Sequence, residues 1–150
     1  MVLGDYLSAE QREEFIRARF VSGRIVRLTL NLTFGPKIKY FLIAHVGVET
    51  LGLIINTSVN DFKQGRPELL ECQVPIDQAG HPGLDHDSFV DCSQAHYEDT
   101  AELKAQLMAD VGGIRDELSE VVRLNILAAL NDSFVLEKNE KQRLIEVLTR

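Results

Sequence analysis

Lys37-Ile-Lys39-Tyr-Phe-Leu-Ile-Ala-His45-Val46-Gly-Val-Glu49-Thr-Leu51-Gly-Leu-Ile-Ile55-Asn56-Thr57-Ser58 decides how the chain reads. Two apolar runs, Tyr40–Val46 and Leu51–Ile55, flank a Gly-Val-Glu-Thr-Leu-Gly turn. Neither run alternates, which predicts a hairpin of strands buried on both faces. Polar groups stand at both ends, with Lys37 and Lys39 at the entry and Asn56, Thr57 and Ser58 at the exit. Folding the hairpin brings entry beside exit and makes its open end a candidate site.

Outward from this hairpin the chain punctuates clearly. Upstream, residues 24–34 alternate apolar and polar, the period of a half-buried strand, and Gly35-Pro36 breaks the run. Before that, Ser8-Ala-Glu-Gln11 is a capping box for a helix with Phe15, Ile16 and Phe20 on its inner side. Downstream, Val59–Lys63 reads as a short turn of helix. Leu69–Ile76 reads as a fourth strand, 78–84 as a Gly/Pro loop, and Ser88–Cys92 as a fifth strand that extends towards Tyr97. The pattern then becomes helical. Asp99 and Glu102 open a helix carrying Leu103, Leu107, Met108 and Val111, which Gly112-Gly113 closes. A second spans Asp116 to Leu130, with a stripe of Leu118, Val122, Ile126 and Ala129 that Val121, Leu124, Leu127 and Leu130 widen. A third lies near Glu137–Leu148. Strands come first and helices follow, the α+β pattern. About five short strands imply a small curled antiparallel sheet or SH3-like barrel, with an N-terminal helix and C-terminal helices. The chain divides into a helix over 8–22, a barrel over 23–97 and helices over 99–149, all in one domain.

Composition bounds the rest. The 150 residues suffice for one domain that buries roughly two-thirds of its unfolded surface. No run of about 18 apolar residues signals a membrane span, and the N-terminus lacks the basic and apolar regions of a secretory signal. Two cysteines without a CxxC pair fit a reduced, cytoplasmic protein with buried thiols. The net charge of −7 argues against general nucleic-acid affinity. It is unevenly spread. Residues 17–66 carry eight basic and two acidic groups, and residues 67–150 carry seven basic and seventeen acidic. One part of the chain is therefore suited to an anion, although such charges also serve simply as a solvated surface.

Two stretches resemble the PemK/MazF family, toxins of bacterial toxin–antitoxin pairs with an SH3-like barrel. Lys39-Tyr-Phe-Leu-Ile-Ala resembles the family's Arg-Pro-X-Leu-Val-Val strand, and Ile55-Asn-Thr57 its apolar strand end with a nearby Thr. Gly83-Leu-Asp-His-Asp-Ser88-Phe-Val-Asp-Cys-Ser-Gln94 resembles the family's Gly-Leu-x-x-x-Ser-x-Val-x-x-x-Gln strand. The Gly-Gly turn and a helix starting near Ile114 follow. The likeness covers residues 23–132. It implies metal-independent RNA cleavage, in which a 2′-hydroxyl attacks the neighbouring phosphate, and a homodimer restrained by an antitoxin protein.

Carried over, Lys39 falls on the family's catalytic Arg and Thr57 on its catalytic Thr. Lysine neutralises phosphate charge but lacks the bidentate guanidinium fork. Arg24, Arg27, Lys37, Asn56, Ser58, Lys63 and Arg66 are the candidate RNA-binding residues. The general base is left to a lysine of depressed pKa or to His45. No cofactor and no metal are expected. His81, His86, Cys92 and His96, interleaved with Asp85, Asp87 and Asp91, fit no standard zinc spacing. Ser88 with His86 and Asp91 lacks a nucleophile elbow. The alternative is a non-catalytic SH3-like module that keeps the barrel as a binding surface.

Overall fold

The computed structural model describes residues 6–58 and 64–150. Along it run α1 (Ala9–Arg19), β1 (Arg24–Leu32), β2 (Gly35–Val46), β3 (Glu49–Asn56), a short α2 (Pro67–Leu70), β4 (Gln73–Ile76), β5 (Ser88–Asp91), β6 (His96–Asp99), α3 (Thr100–Ala109), β7 (Ile114–Glu117), α4 (Glu120–Asp132) and α5 (Lys138–Thr149). The Val59–Lys63 turn, and Lys63 with it, lies outside the described residues.

All seven strands form one antiparallel sheet in the order β4-β5-β3-β2-β1-β7, with β6 pairing the first half of β3. The α+β class holds, and the curled sheet rather than a closed barrel is the form adopted. The reason lies at the edge of β1. Beyond Val26, where β7 ends its pairing, side chains take the place of a further strand. The Gln106 amide of α3 accepts from Thr29 N at 2.8 Å and donates to Thr29 O at 3.0 Å. The Glu98 carboxylate of β6 accepts from Asn31 N at 2.5 Å. These contacts satisfy edge groups that would otherwise be open to pairing.

Both faces of the sheet are covered, which explains the unbroken apolar runs. On one face Leu42, Ala44, Leu53 and Ile55 meet Val122, Ile126 and Leu130 of α4 and Leu144, Val147 and Leu148 of α5. On the other, Val26, Leu28, Phe41 and Ile43 meet Ile16 and Phe20 of the α1 segment and Leu103 and Leu107 of α3. The alternation of β1 feeds the second layer, with Val26, Leu28 and Leu30 turned to it and Arg27, Thr29 and Asn31 exposed, while Ile25 joins the first.

The helix starts follow capping chemistry. Ser8 and Gln11 form the reciprocal capping box. The Asp99 carboxylate accepts from Glu102 N, and the Ser119 hydroxyl from Val122 N. Three boundaries differ from the sequence reading. Ile114–Glu117 is strand rather than helix, because Arg24 pairs with Glu117 and Val26 with Ile114. The stretch 67–72 begins with a turn of helix set by Pro67, so β4 starts only at Gln73. Ser88–Tyr97 is two strands, β5 and β6, pairing different halves of β3. Val121 and Leu124, read as part of the buried stripe of α4, are 70% and 53% exposed, because only the Val122–Ile126–Leu130 face meets the sheet.

A cleft at the open end of the hairpin

Pairing of β2 with β3 places Tyr40 opposite Ile55, so Lys39 stands opposite Asn56. The Lys39 ammonium donates to Asn56 Oδ1 at 3.0 Å. Lys37 lies two residues along the same strand and therefore on the same face. The predicted meeting of entry and exit thus occurs. It forms one side of a cleft of about 400 Å³ on the face that α1 and α3 cover only in part. Residues Asn31 to Phe34, at the end of β1 and its turn, form a second wall. Asp91, Gln94 and His96 form the third. At the rim Phe34 is 93% exposed.

Thr57 and Ser58 are exposed just past the end of β3 and are not among the cleft's lining residues. Of the basic candidates, Arg24 is engaged in the fold. Its guanidinium donates to Arg19 O, Arg115 O and Glu117 Oε1, which fastens β7 to β1. Arg27 lies opposite Tyr40, on the other face of the sheet from Lys39, with its guanidinium 6.0 Å from the Tyr40 ring centre. Arg66 is exposed at the start of α2. Of the named residues, the structure gathers Lys37, Lys39 and Asn56 in the cleft. His45, the histidine considered as a base, is six residues beyond Lys39 along β2, about 20 Å at strand rise.

A different histidine occupies the cleft. His96 Nε2 is 2.9 Å from Glu98 Oε1. Glu98 is 5% exposed, and its other oxygen accepts from Asn31 Nδ2 at 3.2 Å. The His96 ring sits edge-on to Phe41, centres 5.9 Å apart. Both residues share a face because they are two apart on β6, and Gly52, opposite His96, leaves room for the Phe41 ring. A His-x-Glu spacing in a strand was the available sequence signal.

The remaining polar candidates serve the fold. His81 is fully buried. Its Nδ1 is 3.0 Å from Asp77 O, and its Nε2 accepts from Ser119 N at 3.0 Å, fixing the loop to the start of α4. Asp91 Oδ1 accepts from Gln73, Ser93 N and Ser93 Oγ. The Ser88 hydroxyl donates to His86 O. Burial, then the Asp91 carboxylate, push the Cys92 thiol well above its ordinary value, as suits a core cysteine. Among the described residues no group of three or more His, Cys, Asp and Glu side chains is placed to hold a metal, and no helix is long and apolar enough to cross a membrane.

A second cleft, about 410 Å³, lies between α2 and the end of α4. Glu68, Glu71 and Asp132 line it and would repel a phosphate. Charge therefore distinguishes the two clefts. In the first, two lysines, Lys37 and Lys39, stand against one lining carboxylate, Asp91.

Comparison with protein-family models and with curated proteins finds no match for this chain.

Proposed function

We propose that the cleft holds the backbone of single-stranded RNA and cleaves it without a metal, as the resemblance to PemK/MazF toxins implies. One observation carries this reading. Lys37 and Lys39 converge beside Asn56 on a polar cleft in a chain that is otherwise acidic. Two ammonium groups neutralise the phosphate and the charge that builds up on it during attack by the 2′-hydroxyl. The Asn56 amide, held by Lys39, adds a polar contact for sugar or phosphate. Phe34 offers a flat apolar face at the rim on which an unpaired base can stack. Thr57, the residue assigned by resemblance, stands beside this site at the end of β3. The reading includes a cytoplasmic homodimer restrained by an acidic antitoxin peptide.

The position of Thr57 favours a second reading, in which the cleft binds its ligand without cutting it. Thr57 is exposed and outside the lining of the cleft. Incubation with a mixed-sequence single-stranded RNA in EDTA separates the two. The ribonuclease yields fragments with 5′-hydroxyl ends, and Lys39→Ala reduces the rate by about 10²-fold, the effect of losing one charge-stabilising donor. Retention of intact RNA at every protein concentration, with no growth arrest on expression, overturns the enzyme and leaves the binding module.

A further inference from the structure

We propose that His96 is the proton acceptor of this cleft and that Glu98 is its positioning residue. The proposal rests on the ribonuclease reading and supplies the group that the sequence left unassigned. The Glu98 carboxylate is buried, anchored by the backbone N–H and side-chain amide of Asn31, and 2.9 Å from His96 Nε2. A carboxylate accepts only, so this contact selects the tautomer with the proton on Nε2. Nδ1 then carries a lone pair, the form a general base needs. The ring cannot swing freely, because Phe41 packs against it and β6 is paired to β3. The side chain is 18% exposed and lines the cleft with Lys37 and Lys39.

The step balances without a co-reactant. The 2′-hydroxyl gives its proton to Nδ1 as its oxygen bonds to phosphorus. The bond from phosphorus to the 5′-oxygen breaks, and that oxygen takes a proton from solvent. The imidazolium then returns its proton to solvent, leaving a 2′,3′-cyclic phosphate. Glu98 stabilises the imidazolium while it exists. The other charged groups of the cleft are Lys37 and Lys39 from β2 and Asp91 from β5.

The test compares cleavage of an RNA oligonucleotide with binding of its 2′-deoxy counterpart. His96→Gln is expected to lower cleavage by about 10²–10⁴-fold while 2′-deoxy affinity is unchanged. Glu98→Gln keeps an acceptor for Asn31 but loses the carboxylate that fixes the imidazole, and is expected to lower kcat with KM unchanged. A role for Glu98 confined to the β1 edge would leave kcat where it is. On the unmodified chain, diethylpyrocarbonate is expected to modify His96, with peptide mapping to separate it from the other three histidines, and the 2′-deoxy oligonucleotide to slow that reaction. This second readout does not require a folded variant. A wild-type enzyme that cleaves while His96→Gln cleaves equally well overturns the assignment alone. Loss of activity in Thr57→Ala but not in His96→Gln does the same. A wild-type chain that binds and never cleaves overturns the ribonuclease reading itself.

Discussion

Replacing Gly52 with alanine tests the packing beneath the cleft. Gly52 lies on β3, opposite Ile43 on one side and His96 on the other. A Cβ there would fall 2.3 Å from Leu42 O and 2.4 Å from Phe41 Cζ. Unstrained contacts between heavy atoms lie near about 3.5–4.0 Å. The first clash is with backbone, so β2 and β3 must separate or Phe41, which is fully buried, must leave its place. Overpacking of this kind costs about 1–3 kcal/mol, and a backbone obstacle puts the change near the upper end. At about 2–4 °C per kcal/mol for a chain of this length, Gly52→Ala should melt roughly 6–12 °C below the wild type. Gly47→Ala is the control. Its Cβ would meet nothing closer than 3.5 Å and its φ is not positive, so its Tm should stay the same or rise slightly. Thermal unfolding followed by circular dichroism reads both. Equal melting of Gly52→Ala and wild type would refute the claim that the sheet is tightly packed under the cleft.

Other outcomes follow from the same geometry. Glu98→Ala removes the acceptor of Asn31 N, at about 0.5–1.5 kcal/mol because the exposed Asn31 can turn to water, and hydrogen exchange at Asn31 should accelerate more than at Leu42. Cys72 and Cys92 are both buried, and the Cys92 thiol is pushed up by burial, so an aromatic disulfide reagent should react slowly with the native chain and fully in denaturant. Tyr40 and Tyr97 are both raised above 10.0, by burial first and by the Asp85 and Glu140 carboxylates after it. Above that pH the unfolded chain releases protons that the folded one retains, so stability should fall as pH rises further, and Tyr40→Phe should reduce the slope of urea midpoint against pH.

The central hairpin was legible because its two apolar runs are long and bounded by turn residues. Burial on both faces followed from their lack of alternation, and both layers of helices are present to provide it. Ser8 and Gln11 announced their helix through chemistry local to one turn. Ile114–Glu117 was not legible as strand. Its four residues carry little apolar signal and become strand through pairing with Arg24 and Val26, some 90 residues away in sequence. That the sheet stays open was equally non-local, since the β1 edge is satisfied by Glu98 and Gln106 from distant elements. The candidate site was readable where strand register governs it, at Lys37, Lys39 and Asn56. It was not readable at His96, whose partner Glu98 is two residues along the strand but whose place in one cleft with the lysines depends on the pairing of β6 with β3.

The chemical form of the RNA ends tests the account most directly. Mass spectrometry of fragments produced by the wild-type chain in EDTA should show 2′,3′-cyclic phosphates, one water lighter than linear phosphates, and no cleavage at a single 2′-deoxy position. Linear phosphates formed directly, or cutting at the 2′-deoxy position, would contradict attack by the 2′-hydroxyl and with it the role given to the cleft.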